Sequence, residues 1–370
     1  MTKTNRKFQT AAFQLAETAV FSGILILSLM TSVAHAQTGP VLPFPPLAVS
    51  TVPSNGDVNP YGVAFVPRIP SDGIIQTNDI LVSNFNNSQN LQGTGTTIVR
   101  VTPAGQASLF FQSKAAGLTA ALGVLPDGIV IVGNLPTTDG TSGTIQPGSL
   151  QVIDRHGQLL GAIASPQIAG PWGMAIHDGR DGSAQIFVSD VLAGTVLRLD
   201  VTYSANGESL TVRSIETIAA GFNHRTDPAA LVLGPTGLLY DPFADTLFVA
   251  SSADNAVYTL TGAAAATSSL GSGTLLFQDL THLHGPLDIA QAPNGDLLIA
   301  NSDGSNADPN QPSELTEFNF AGKFVAEYPV DPNNGGAFGL KVMRIGTAAL
   351  RVAAVDDNQN SLFMWTTVMR

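Results

Sequence analysis

The chain has 370 residues, no cysteine, and a formal net charge of −12 at neutral pH from 16 basic and 28 acidic side chains. Without cysteine it has no disulfide framework, no thiolate metal site and no cysteine nucleophile. Because a negative chain is repelled by phosphate backbones, we expect no nucleic-acid partner. Frequent glycine and proline, with 37 and 23 residues, favour many short strands joined by turns.

The N-terminus has the pattern of a secretory signal peptide. Lys3, Arg6 and Lys7 precede an apolar stretch that ends in the small-x-small sequence Ala34-His35-Ala36. This stretch is shorter than the roughly 20 residues that a membrane-spanning helix needs, and no later stretch is long and apolar enough to span. The pattern predicts a signal peptide over the first 36 residues and export of residues 37–370 to the periplasm or the extracellular space.

Two phrases recur six times along the rest of the chain. The first consists of a proline or small residue, a variable residue, glycine or aspartate, and two or three apolar residues. Its copies are Pro60-Tyr61-Gly62-Val63-Ala64, Ala121-Leu122-Gly123-Val124-Leu125, Pro171-Trp172-Gly173-Met174-Ala175, Pro235-Thr236-Gly237-Leu238-Leu239, Pro286-Leu287-Asp288-Ile289-Ala290 and Ala337-Phe338-Gly339-Leu340. The second phrase is an apolar run that stops at a polar residue. The polar residues are Asn84, Asn134, Asp190, Ser251, Asn301 and Asp356.

Each repeat unit has room for four short strands, with turn residues such as Pro126-Asp127-Gly128 between the first and second. Six such units predict an all-β fold, a six-bladed β-propeller with four antiparallel strands per blade. The last unit has only three strands before the chain stops. We therefore expect the N-terminal strand of the mature chain, Leu47–Val52, to complete it and to close the ring, which protects the exposed strand edges. Residues 37–370 are predicted to form one domain.

The two phrases and their spacing resemble NHL-repeat propellers over roughly residues 45–370. The resemblance implies an architecture rather than an activity, and propellers of this kind include metal-dependent lyases and lactonases. The peptidylglycine amidating lyases are similar in repeat form and carry zinc-binding histidines at the variable position, where this chain has none. Gluconolactonase-like propellers surround a divalent cation with acidic and amide oxygens. We find no glutamate near the start of the first blade to complete such a cage.

The polar residues that end the second strands allow two interpretations. Asn and Asp at such positions can bond to the backbone of the following turn, which a repeat would require in every blade. Alternatively, a subset could hold a divalent cation such as Ca²⁺ through oxygen ligands. The candidate metal ligands are Asn134, Asp190, Asn301 and Asp356.

The start of each first strand defines one face of the propeller, the top face, where a ligand site is expected. The variable residues Tyr61, Leu122, Trp172, Thr236, Leu287 and Phe338 are expected to face the central opening. They would either plug the channel or stack against an organic ligand. Three long polar loops belong to the same face and are either a binding surface or solvated connections. They are Phe85–Thr96, Leu135–Pro147 and Ser302–Pro312.

Titratable residues on the links between blades form a second candidate group on the top face. His224 and Arg225 follow the third blade, and His282 and His284 precede the fifth. Histidine suits acid–base chemistry near neutral pH. A His-x-His pair on an extended segment would direct both rings to one side and permit metal binding.

Two functions are therefore open. The first is an exported, monomeric binding protein of the cell envelope, with a small-molecule or protein ligand on its top face. The alternative is a metal-dependent hydrolase, lactonase or lyase with its site at the central top opening. No Gly-x-Ser-x-Gly elbow indicates a serine hydrolase. The candidate ligand-binding residues are Tyr61, Trp172, Thr236, Phe338, His224, Arg225, His282 and His284.

Overall fold

The computed structural model describes residues 42–43, 45–301, 306, 313–347 and 349–368. The predicted signal peptide and all of the predicted loop Ser302–Pro312 except Asn306 lie outside these residues. Within the described part, no helix is long and apolar enough to cross a membrane.

The structure is a six-bladed β-propeller of four antiparallel strands per blade, as predicted. Blade one contains β2 (Val58–Phe65), β3 (Ile80–Asn86), β4 (Thr97–Val101) and β5 (Ala107–Gln112). Blade two contains β6 (Leu118–Val124), β7 (Val130–Asn134), β8 (Ser149–Ile153) and β9 (Leu159–Ile163), with a 3₁₀ turn at Ser142–Thr144. Blade three contains β10 (Pro171–Asp178), β11 (Ser183–Asp190), β12 (Thr195–Tyr203) and β13 (Leu210–Ala220).

A short hairpin, β14 (Arg225–Asp227) and β15 (Leu231–Leu233), precedes the remaining blades. Blade four contains β16 (Pro235–Asp241), β17 (Thr246–Ser251), β18 (Ala256–Thr261) and β19 (Thr274–Gln278). Blade five contains β20 (Pro286–Gln291), β21 (Leu297–Asn301), β22 (Ser313–Phe318) and β23 (Phe324–Asp331). Blade six contains β24 (Ala337–Ile345), β25 (Ala349–Asp356), β26 (Ser361–Val368) and the N-terminal β1 (Leu47–Ser50).

The ring closes through the N-terminal strand, which confirms the prediction. β1 pairs antiparallel with β26, with Leu47 opposite Met364 and Ser50 opposite Ser361. Val49 is buried in the core shared by blades one and six. Blade six therefore has no free outer edge on β26 that could pair with another chain.

Neighbouring blades meet most closely at the glycines of the first phrase. A Cβ atom on Gly62, Gly173 or Gly339 would collide with a backbone carbonyl of the next inner strand. A serine hydroxyl bridges the same gap: Ser83 Oγ accepts from the Gly62 amide at 3.0 Å and donates to the Thr119 carbonyl at 2.8 Å. The glycine therefore permits an approach between inner strands that any side chain would prevent.

Blade five has an aspartate at the corresponding position. The Asp288 carboxylate accepts the Leu340 amide at 2.9 Å and forms an ion pair with Lys341, whose Nζ lies 2.9 Å from both oxygens. Both partners belong to the inner strand of blade six. The acidic side chain is thus accommodated because it is paired across the same inter-blade contact.

The predicted alignment of blade two is wrong by two residues. Leu122 pairs with Val132, which lies two residues before the end of β7. In blade three, Met174 pairs with the corresponding residue of β11. Leu122 is therefore equivalent to Met174 and not to Trp172. The bulge after Leu118 adds two residues to β6, whereas the corresponding bulge after Pro171 in blade three adds one. Thr119 takes the variable position instead, and its hydroxyl donates to a carbonyl of blade three at 2.7 Å. Leu122 therefore does not belong to the ring of variable residues.

We predict that Gly173→Ala lowers the free energy of unfolding by about 3 kcal/mol or more, because its Cβ would lie against the backbone of Thr236 and force the blades apart. Denaturant-induced unfolding measures this change. The matched control is Gly161→Ala on β9, where an added Cβ meets no atom within 4 Å. Equal effects of the two substitutions would contradict the role of the close inter-blade contact.

Candidate functional site

Aromatic side chains fill the channel at the top face. The rings of Tyr61 and Phe338 stack with their centroids 3.7 Å apart. Phe85 stacks on the other side of Tyr61 at 4.5 Å, and Trp172 packs edge-on against Tyr61 at 5.8 Å. Leu287 lies in the same buried cluster. Three of the predicted ring residues, Tyr61, Trp172 and Phe338, therefore pack against one another and plug the top of the channel.

Thr236 contributes to this region differently from the aromatic residues. Its hydroxyl is buried and lies 2.7 Å from the carbonyl of Pro286, to which it donates a hydrogen bond. Thr119 makes the equivalent bond to Pro171 in the next blade. The threonine hydroxyls thus connect adjacent blades and are already engaged.

The hairpin β14–β15 lies over the aromatic plug. Leu231 and Val232 are buried in the same cluster as Trp172. Leu231 has a φ of 63°, a conformation that bulky residues rarely adopt and that packing must hold in place. From blade one, Gln92 donates to the carbonyl of Ala229 at the tip of the hairpin. The sequence analysis treated this segment as a simple link and did not predict the hairpin.

A small cavity remains between the plug and the hairpin, and we call it the upper cavity. It has a volume of about 110 Å³. Its lining residues are Asn59, Tyr61, Gln92, Trp172, Ala229, Ala230, Val232, Leu287, Gly335, Phe338 and Asp357. Three of them carry a buried polar atom with no hydrogen-bond partner, namely Trp172 Nε1, Asn59 Oδ1 and Asp357 Oδ1. The upper cavity therefore has three unpartnered polar atoms, besides the Tyr61 hydroxyl and the Gln92 amide, in a wall that also carries apolar and aromatic groups.

Two consecutive carboxyl groups beside this cavity are strongly perturbed. Burial is the main cause that raises the pKa of Asp356 to about 6; the backbone amide of Gln359 opposes this shift, and the charge of Asp331 adds to it. Burial also raises the pKa of Asp357 well above its ordinary value, with Asp356 adding to the shift. Part of Asp357 reaches solvent, but its Oδ1 does not. Perturbed carboxyl groups beside a cavity are typical of functional sites.

The four titratable candidates on the links do not line the upper cavity. His224 Nδ1 lies 3.0 Å from the carbonyl of Phe222, and Arg225 is exposed on the hairpin. The two histidines before blade five have separate partners. His282 bonds to Asp279 at 2.9 Å and stacks on Phe324 with centroids 3.9 Å apart, whereas the His284 Nε2 lies 3.3 Å from the Thr281 carbonyl.

The candidate metal ligands mostly bond within their own blades. Asn134 Oδ1 accepts from the amide and hydroxyl of Ser149. Asp190 accepts the amides of Ala169 and Gly170 at 2.6 and 2.9 Å and that of Ala193 at 3.0 Å. These are backbone bonds of the kind expected for polar residues at strand ends.

The other two candidates differ from each other. Asn301 Oδ1 accepts the His284 amide at 2.6 Å, whereas Asp356 uses Oδ1 for the Gln359 amide and leaves Oδ2 buried without a partner. Within the part of the chain that the structure describes, no group of three or more His, Cys, Asp or Glu side chains could hold a metal ion. The engaged oxygens do not fit one shared calcium cage, and a calcium site stays a prediction.

A larger cavity lies at the opposite end of the channel, and we call it the lower chamber. It has a volume of about 810 Å³ and is lined by the second halves of all six inner strands. Apolar side chains such as Val124, Met174 and Leu239 dominate its wall. Lys341, held by Asp288, and the exposed Arg344 also line it. All sites predicted from the sequence lie on the top face, and none of them includes this chamber.

The fold is similar to those of several solved structures. A virginiamycin B lyase from Staphylococcus aureus matches with a TM-score of 0.50 at 13% identity, covering 87% of this chain and 98% of that chain. A calcium-binding regucalcin from Agrobacterium tumefaciens matches with a TM-score of 0.48 at 12% identity, covering 87% of this chain and 94% of that chain. A gluconolactonase from Xanthomonas campestris matches with a TM-score of 0.46 at 13% identity, covering 87% of this chain and 89% of that chain. The likeness to the lyase shows the fold alone. No protein-family model matches the chain, and no curated protein sequence matches it.

We predict that Asp356→Asn stabilises the protein above pH 6 by up to about 3 kcal/mol. The raised pKa means that the folded protein binds this proton more tightly than the unfolded chain, so stability is lost as the pH rises from about 4 to about 6. Asparagine keeps the acceptor for the Gln359 amide and carries no charge. Denaturant unfolding at pH 4 and pH 7.5 measures the difference between the two proteins.

Asp357 is present in both proteins, but Asp356 contributes to its raised pKa, so the difference above pH 6 includes the repulsion between the two carboxyl groups. Below pH 4 the two proteins should have equal stability, since the carboxyl of Asp356 is then protonated in the folded and unfolded states. An advantage of the variant that is the same at both pH values would show that the buried charge is not its cause.

Proposed function

We propose that this protein is an exported, NHL-like propeller that binds a small organic molecule in the lower chamber. The volume of about 810 Å³ supports this proposal, because pockets for organic ligands typically have volumes of roughly 300–1,000 Å³. An apolar wall with a few polar groups is the composition of such pockets. Export rests on the signal-peptide pattern in the first 36 residues.

The contrast between the two ends of the channel favours the lower one. Stacked aromatic rings and the hairpin leave about 110 Å³ at the top, too little for a ligand of drug-like size. At the bottom, the second halves of the six inner strands surround an open space of about 810 Å³. Burial of apolar ligand surface there contributes about 25 cal/mol per Å². The chamber could therefore bind an apolar molecule without a change in the top face.

We predict that the purified protein binds the neutral fluorescent dye N-phenyl-1-naphthylamine and that Val124→Trp weakens this binding at least tenfold. Val124 is a half-buried residue of the chamber wall, and an indole there would occupy part of the space. Fluorescence titration measures the affinity. The matched control is Leu159→Trp, which places the same side chain on an exposed outer strand.

Two results of this titration would count against the proposal. One is an absence of saturable dye binding to the unsubstituted protein. The other is an equal affinity of Val124→Trp and Leu159→Trp for the dye. Thermal unfolding of both variants establishes that a loss of binding does not come from a loss of folding.

A metal-dependent hydrolase, lactonase or lyase with its site at the top opening is the second candidate. The observation that favours it is the pair of consecutive perturbed carboxyl groups, Asp356 and Asp357, of which Asp357 lines the upper cavity. Ca²⁺ prefers oxygen ligands, and the unpartnered Oδ2 of Asp356 is one available oxygen. The neighbouring Asp190 and Asn301 oxygens are engaged, which disfavours a shared cage.

Metal analysis of the purified mature protein separates these two functions. The binding proposal predicts no stoichiometric divalent ion. A stoichiometric ion that is lost in Asp356→Ala and in Asp190→Ala, with folding preserved, would favour the metal-dependent enzyme. Asp139→Ala, a change of an exposed aspartate in a loop of blade two, is the control.

A further inference from the structure

We propose that the upper cavity is a separate binding site for a small organic ammonium ion that also carries a hydroxyl group. The site does not depend on the lower chamber, because the aromatic plug lies between them. Three residues that line the upper cavity each have a buried polar atom without a hydrogen-bond partner: Asp357 Oδ1, Asn59 Oδ1 and Trp172 Nε1.

The carboxylate of Asp357 would be stabilised most by a positively charged hydrogen-bond donor. Among the described residues, no Lys, Arg or His forms an ion pair with Asp356 or Asp357. A carboxylate that is removed from water without a cation or a hydrogen bond is destabilised. Hydrogen bonds between charged partners are roughly twice as strong as neutral ones, so an ammonium group would compensate this atom best.

Asn59 supplies a second acceptor beside the carboxylate. Its backbone has a φ of 63°, a left-handed conformation that asparagine tolerates better than most residues. The amide of Asn59 donates to Asn360 Oδ1 at 2.7 Å, which fixes this backbone. Its own Oδ1 is buried and unpartnered. An ammonium group has three hydrogens and could donate to Asn59 and Asp357 together.

The indole of Trp172 requires that the ligand contain an acceptor as well. Trp172 is only 2% exposed, and its Nε1 is a donor that has no partner. Neither a metal ion nor an ammonium group can accept this hydrogen. A hydroxyl oxygen near the ammonium group can accept it, and the hydroxyl hydrogen remains available to a further acceptor.

The size and walls of the cavity suit a ligand of a few heavy atoms. A single water needs about 10–15 Å³ by a comparable measure, whereas this cavity offers about 110 Å³. Tyr61, Trp172 and Phe338 surround it with aromatic groups, and aromatic rings attract nearby cations. The methylene groups of a short amino alcohol would lie against these rings. Ordered waters and a divalent cation are the competing occupants.

The test uses three probes of nearly equal size: protonated 2-aminoethanol, ethylene glycol and ethylammonium. Isothermal titration calorimetry on the full mature protein measures their affinities at pH 7.5. We expect millimolar binding of 2-aminoethanol, the range that about four heavy atoms can reach. Ethylene glycol lacks the charge and ethylammonium lacks the acceptor, so each should bind at least tenfold more weakly.

Two conservative variants assign the contacts. Asp357→Asn should weaken 2-aminoethanol at least tenfold and leave ethylene glycol unchanged. Trp172→Phe removes the Nε1 donor together with the five-membered ring of the indole, and it should abolish the preference for 2-aminoethanol over ethylammonium. Asp181→Asn, at an exposed turn between β10 and β11, is the matched control and should bind all probes as the unsubstituted protein does. Thermal unfolding confirms that each variant is folded.

Several results would overturn the proposal. Absence of 2-aminoethanol binding, or equal binding of all three probes, would mean that the cavity holds ordered water only. Binding of Ca²⁺ that excludes 2-aminoethanol and is unaffected by Trp172→Phe would assign the acidic atoms to a metal ion. Loss of dye binding in the lower chamber has no bearing on this result, because Val124 and Asp357 line different cavities.

Discussion

The close contact between neighbouring inner strands is the constraint on which the structure depends. At four glycines of the first phrase, the backbone of the next blade occupies the place of a side chain; they are Gly62, Gly173, Gly237 and Gly339. Serine and threonine hydroxyls bond across the same gap, as Ser83 does to Thr119 and Thr236 does to Pro286. In blade five, an ion pair between Asp288 and Lys341 takes the place of this arrangement. The repeated phrase thus encodes the distance between blades.

This contact also divides the channel into two parts with different properties. The variable residue lies immediately before the glycine, and at three blades it is a large aromatic group that fills the narrow upper end. The apolar residues after the glycine point into the lower end, where they line an open volume without filling it. One repeat therefore produces an aromatic plug and an apolar chamber. Residues before the glycine line the upper cavity, and residues after it line the lower chamber.

The sequence predicted the features that repeat and missed those that do not. Blade number, the closing strand at Leu47–Ser50 and the backbone bonds of Asn134 and Asp190 all follow from periodicity or from residue type. The alignment of blade two failed because its bulge contains one residue more than the bulge of blade three, without a sequence signal. The hairpin before blade four occurs once, so no repeat reveals it. The lower chamber depends on the radius of the ring, which no local pattern specifies.

Asp357 illustrates how a structure distinguishes a candidate site from a structural group. The strand-end residues Asp190 and Asn134 are buried, and backbone amides satisfy their oxygens. The residue that follows Asp356 has the same kind of side chain, yet its inner oxygen faces a cavity without a partner. Around that cavity the chain also holds Asn59 and Leu231 in left-handed conformations. Strain and uncompensated polarity at one place favour a functional role there, because neither stabilises the fold.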